Sequence, residues 1–175
     1  MPQFWLMKSE PNCFSFDDLL RSPERTSPWD GVRNYQARNF LRDEIHVGDG
    51  VFFYHSNVPV PAIVGVARVV RAGYPDHTAR DPDSDHFDPR ATVDNPIWYM
   101  VDVQALMAFP QPVSRETMKA HPLLSDMAVL KRGNRLSVLP VDPRHWPVLF
   151  ELGGISPARI NDLLISTGGE DDSSR

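Results

Sequence analysis

Four short clusters carry the side chains most able to do chemistry: Lys8-Ser9-Glu10, Trp29–Asn39 (WDGVRNYQARN), Tyr54-His55-Ser56-Asn57 and Lys131–Arg135 (KRGNR). The second holds two arginines, two asparagines, a glutamine, an aspartate, a glycine and two aromatic rings, with only Val32 and Ala37 aliphatic. Such a stretch buries little apolar surface and suits the grip on a flat polar ligand. Trp29 is either a lid over the core or a stacking platform, and stacking contributes roughly 1–3 kcal/mol per base. Gly31 lets the backbone approach closely beside that ring. Asn34 is a plain helix cap or a donor–acceptor pair for a base edge. Arg33 and Arg38 are surface charges or phosphate holders.

Catalytic readings are weaker. His55 and Ser56 are neighbours on an expected strand and point to opposite faces, so they make a poor nucleophile–base pair. Lys8 and Glu10 are two apart and share a face, which allows either proton transfer or a simple ion pair. Six histidines lie scattered beside one thiol, Cys13, with no pair at metal-ligand spacing. No glycine-rich phosphate loop appears, since GDG at 48–50 reads as a turn.

The surrounding pattern shows what must hold these clusters. QFWLMKS (3–9) reads as a strand, and SFDDLLR as a short helix capped by Ser15. Ala37, Phe40, Leu41 and Ile45 mark one apolar face of a helix starting near Asn34. VFFYHS and PAIVGVARVV are strands, with Gly65 at a bulge or close approach. Residues 74–96, with four prolines and six aspartates, form a long loop. IWYMVDVQALMAF is a long strand, SRETMKA and the region 123–130 are helical turns, and NRLSVLPV is the last strand. Helices follow from about Trp146 and from Pro157, the latter capped by Ser156 with Ile155 stapled against Ile160. Three of the four clusters then fall at strand ends, and WDGVRN feeds a helix start: one functional rim.

Composition sets limits. The 175 residues suit about one domain, and no apolar run reaches the roughly 18 residues of a membrane helix. The N-terminus reads as the start of the fold rather than a signal peptide, and a single cysteine fits a reducing compartment: cytoplasm, or nucleus in a eukaryote. The net charge of −5 sits in residues 76–90 and the tail 166–175, leaving the flanking bodies neutral. That excludes a strong nonspecific electrostatic binder and leaves selectivity to a pocket.

WLMKSEP (5–11), WDGVRNYQARNFLR (29–42), VGDGVFFYHSN (47–57), GVARVVRAGYPD (65–76), Trp98 with VDV, and KRGNRLSVLPV (131–141) resemble, in order, the EVE domain family, over about residues 3–152. The resemblance implies an α+β fold: a PUA-like pseudo-barrel of about five to six mostly antiparallel strands with surrounding short helices. It implies an EVE domain over 1–154; the helical extension over 155–165 lies beyond the family pattern, and the polar tail over 166–175 reads as disordered. It also implies kinship with YTH, PUA and ASCH domains, and the reading of a modified base in DNA or RNA.

The implied base pocket comprises Lys8, Ser9, Glu10, Trp29, Gly31, Val32, Asn34, Tyr54, His55 and Ser56, with Arg33, Arg38 and Arg135 holding phosphate. In it Trp29 stacks, Val32 meets an apolar substituent such as a methyl, and Asn34, Ser9 or Ser56 bonds the edge of a base flipped from its strand. The expected partner is nucleic acid carrying a methylated or hydroxymethylated base, bound by a monomer with no cofactor, metal, membrane or catalysis. The alternative is an ASCH-like hydrolase of a modified nucleoside or nucleotide, working through Lys8 and Glu10.

Overall fold

In the computed structural model, which describes residues 2–166, six strands form one open mixed sheet: β1 (Phe4–Ser9), β2 (Thr26–Pro28), β3 (Gly50–His55), β4 (Ala62–Pro75), β5 (Tyr99–Ser114) and β6 (Val138–Val141). Their order is β2-β5-β4-β3-β1-β6. β1 and β3 run parallel, and the other neighbours run antiparallel. The α+β class and strand number match the expectation.

Strand alternation splits the apolar residues between two cores, one on each face of the sheet. Phe4 and Leu6 of β1, Phe52 and Tyr54 of β3, and Leu139 and Val141 of β6 enter the first core. Trp5 and Met7, Val51 and Phe53, and Val138 enter the second. Both faces are covered, which is why β3 reads as an unbroken apolar run rather than an alternating one. Phe52 and Phe53 are both fully buried, one in each core.

Short helices close the two faces. α1 (Phe16–Arg21) carries a complete capping box, Ser15 and Asp18 each bonding the other's backbone N–H. α2 (Tyr35–Asn39) starts at the cap Asn34 and widens into a π turn over Phe40–Glu44, so Ala37, Leu41 and Ile45 reach the second core. α3 (Arg115–Ala120), α4 (Trp146–Gly153) and α5 (Pro157–Ser166) pack on the first face through Met118, Leu149, Phe150 and Ile160.

Gly65 sits where the β3–β4 and β4–β5 registers both shift. A Cβ there would stand 2.5 Å from the Phe16 ring, so the expected bulge is also a close approach. The long loop after β4 contains a 3-10 turn, His77–Arg80. α5 matches the expected terminal helix, and the tail expected to be disordered lies, from residue 167 on, outside the described residues. Among the described residues no helix is long and apolar enough to cross a membrane.

Candidate nucleic-acid interface

The site is built from the end of β1, the segment after β2 and the loop after β4. β2 pairs with β5, and the Trp29 N–H donates to the Val101 carbonyl at 2.7 Å, fixing the start of the WDGVRN segment. The Trp29 indole meets Phe53 edge-on, with centroids 5.3 Å apart, and is 7 % exposed. It therefore serves as a lid over the second core and keeps a small accessible remainder.

Gly31 turns the chain with φ +79°, a conformation that favours glycine. Its N–H donates to Asp76 Oδ2 at 2.9 Å. The Asp76 side chain is fully buried and also accepts from Arg33 Nη1 and from the Thr78 N–H and hydroxyl. Burial alone would raise the Asp76 carboxyl, but the hydrogen bonds from Thr78, Gly31 and Arg33 outweigh it and hold the group below the usual carboxylate range. Arg33 donates as well to the His86 carbonyl through Nε and Nη2. The acidic loop is thus strapped down beside Gly31, with the His86 ring against it.

Two aspartates of that loop serve inward. Asp76 caps and pairs as described, and Asp88 accepts from Trp98 Nε1 at 2.8 Å and from Arg90. The Trp98 ring stacks on Tyr35, with centroids 4.9 Å apart. Part of the acidity of residues 76–90 is therefore internal wiring.

A cavity of about 590 Å³ opens at this junction, between the Lys8–Glu10 corner and the Trp29–Gly31 turn, with Cys13, Phe14 and His86 among its other walls. Of the expected pocket residues, Lys8, Ser9, Glu10, Trp29 and Gly31 line it; Val32, Asn34, Tyr54, His55 and Ser56 do not. Val32 is buried in the second core. Asn34 Oδ1 accepts from the Ala37 N–H, which is the capping role. Tyr54 lies on the first core, across the sheet. His55 Nε2 accepts from the Phe16 N–H at 3.1 Å, and burial pushes its pKa down. The Ser56 N–H donates to the Ser9 carbonyl, so this residue braces the corner from behind.

The expected phosphate residues are dispersed. Arg33 is committed to Asp76 and His86. Arg38 donates to the Ile97 carbonyl and lies 4.9 Å over the Tyr35 ring. Arg135 is exposed on the segment whose Ser137 carbonyl accepts from the Lys8 N–H.

The Lys8–Glu10 pair separates at the strand end. Glu10 lies in the turn beyond β1, and its Oε1 accepts from Asn57 Nδ2 at 3.4 Å. Among the described residues no ion pair joins it to Lys8. Phe14 and Cys13, a turn away from the corner, and His86, far off in sequence, carried no local signal. His86 reaches the cavity only because Asp76 and Arg33 tie its loop to Gly31.

The EVE domain model matches residues 3–152. Thymocyte nuclear protein 1 of Mus musculus is 39% identical over 175 residues, covering 90% of this chain and 76% of that protein. A Pseudomonas putida crystal structure is 47% identical with a TM-score of 0.81, covering 86% of this chain and 99% of that one. The crystal structure of human THYN1 protein in complex with 5-methylcytosine-containing DNA is 38% identical with a TM-score of 0.82, covering 89% of this chain and 99% of that one. Sequence, fold and extent agree: the chain belongs to the EVE domain family.

Proposed function

We propose that the protein binds DNA carrying a modified cytosine and seats that base, turned out of its strand, in the cavity between Lys8–Glu10 and Trp29–Gly31. The observation that carries this reading is the cavity itself, about 590 Å³, placed at the two most distinctive motifs of the sequence. The similar human protein, crystallised with 5-methylcytosine DNA, supplies the choice of base. Extruding a base costs a few kcal/mol, so the pocket must return that energy through contact and exclusion of water. Trp29 supplies an apolar edge, the Ser9 hydroxyl oxygen and the Gly31 carbonyl supply acceptors, and His86 closes the far wall.

Binding proceeds without turnover in this account. Ser9 Oγ donates to the Phe14 carbonyl at 2.5 Å, and His55 bonds a backbone N–H across the strand end, so no nucleophile–base pair forms. Residues 1–154 constitute the binding domain, and α5 is an addition that covers the first core.

Titration of short oligonucleotides carrying 5-methylcytosine, 5-hydroxymethylcytosine, N6-methyladenine or plain bases tests the reading. A preference of at least tenfold for a modified cytosine over cytosine is expected. Equal affinity for all strands overturns it. Chromatography of modified nucleosides after incubation should show no product; turnover lost in Lys8→Ala would instead establish the hydrolase.

A further inference from the structure

Lys8 and Arg115 are two cations that the fold places on one face of the sheet, and among the described residues neither has an acid partner. Lys8 is paired in register with Tyr54, Tyr54 with Ile63, and Ile63 with Val113. These four residues form one row across four strands. Tyr54, Ile63 and Val113 all enter the first core, and alternation with Phe4 and Leu6 sends the Lys8 side chain to the same face. Arg115 follows Val113 by two residues, at the start of α3, where its N–H donates to the Pro61 carbonyl at 2.8 Å.

Among the described residues the Lys8 ammonium, the Tyr54 hydroxyl and the Arg115 guanidinium make no hydrogen bond or ion pair. Tyr54 is 3 % exposed, yet its oxygen is not sealed from solvent, so the hydroxyl opens at the surface beside the two cations. Lys8 is half-buried, and burial followed by the Arg115 charge lowers its pKa. The same guanidinium is felt at Tyr54, where burial raises the phenol and Arg115 opposes the rise. The two carboxylates nearest in sequence do not relieve the repulsion. Glu10 is held by Asn57 in the turn, and Glu116, next to Arg115 at the start of α3, makes no ion pair with it among the described residues.

Two like charges on one face of the sheet, with the Tyr54 strand between theirs and no ion pair to either among the described residues, form a receptor for an anion. We propose that Lys8, Tyr54 and Arg115 hold a phosphodiester of the nucleic-acid backbone on the sheet face opposite the base cavity, with Lys8 bordering both. The proposal rests on the base-binding reading only for naming nucleic acid as the source of the phosphate. It also accounts for a gap, since Arg33 and Arg38 are spent on the protein's own carbonyls, rings and Asp76.

An oligonucleotide with a central abasic site isolates the backbone contact, and 5-methyl-2′-deoxycytidine, which has no phosphate, isolates the cavity. Arg115→Gln should weaken binding of the abasic oligonucleotide about tenfold at low salt. It should reduce the slope of log affinity against log salt by about one. The nucleoside should bind Arg115→Gln and the parent protein equally, and Arg115→Lys should restore the salt slope. Unchanged affinity and slope in Arg115→Gln overturn the proposal, as does an abasic oligonucleotide that the parent protein does not bind. Competition by inorganic phosphate at the oligonucleotide's own concentration assigns the site to a free anion and also overturns it. Failure of the nucleoside alone to bind removes the base cavity and leaves the phosphate site standing.

Discussion

Asp76→Ala is expected to lower the unfolding free energy by about 3 kcal/mol and to abolish base-specific binding. The carboxylate is fully buried and joins two segments distant in sequence, taking donors from Gly31, Arg33 and Thr78. Removing one partner of a buried pair typically costs about 3–5 kcal/mol. Arg33 keeps some solvent access and its bonds to the His86 carbonyl, which places the effect at the lower end. Even so, it is a large part of the roughly 5–15 kcal/mol that holds a domain folded. Denaturant unfolding measures the first quantity and oligonucleotide titration the second.

Asp76→Asn retains an acceptor and should fall between the two proteins. The acid limb gives a further reading of the same substitution. Asp76 has a pKa depressed below its ordinary 3.8, so its contribution is complete above that value and disappears as pH falls through the folded pKa. Below about pH 4 the stability gap between the parent protein and Asp76→Ala should therefore narrow; a constant gap from neutral to strongly acidic pH would deny Asp76 this role.

Trp29→Ala should be the other severe change. The indole is 7 % exposed and packs on Phe53, so truncation is expected to destabilise the fold by about 3–5 kcal/mol. Loss of the aromatic wall should weaken binding of the modified oligonucleotide by roughly 5- to 150-fold, the equivalent of one base–aromatic contact. Trp29→Phe separates the effects: it keeps a ring in the core and should retain most of the stability while losing part of the affinity. If Trp29→Phe and Trp29→Ala, both folded at low temperature, bind as tightly as the parent protein, the indole is a structural lid and nothing more.

What the sequence made legible was governed by local rules. Ser15 and Asn34 announced helix starts because capping is a contact between near neighbours. The apolar run at Val51–Tyr54 marked a strand, although it could not tell which of Phe52 and Phe53 served which core, since both faces are covered. The corner Lys8–Glu10 and the turn Trp29–Gly31 stood out by their polar and aromatic residue types, and they border one cavity because the pairing of β1 with β3 and of β2 with β5 sets the sheet around them.

Residues whose roles depend on distant partners were not legible. Arg33 looks like any exposed arginine until Asp76, 43 positions away, is seen to claim it. Tyr54 adjoins His55 in sequence but lies on the far side of the sheet, because one step along a strand reverses the face. His86 enters the cavity wall from a stretch with no apolar pattern, and Arg115 reaches the Lys8 face of the sheet only through a row spanning four strands.

Cys13 offers the most direct test of the cavity as the base-binding site. It is the one cysteine of the chain, it is exposed, and it lines the cavity beside Glu10. The rate at which a small thiol reagent modifies Cys13 should fall several-fold when the protein is saturated with a 5-methylcytosine oligonucleotide. It should change little with saturating abasic oligonucleotide of the same length, which occupies the backbone contacts and leaves the cavity open. Equal protection by the two strands, or no protection by the methylated strand when it is demonstrably bound, would place the base elsewhere and contradict the account.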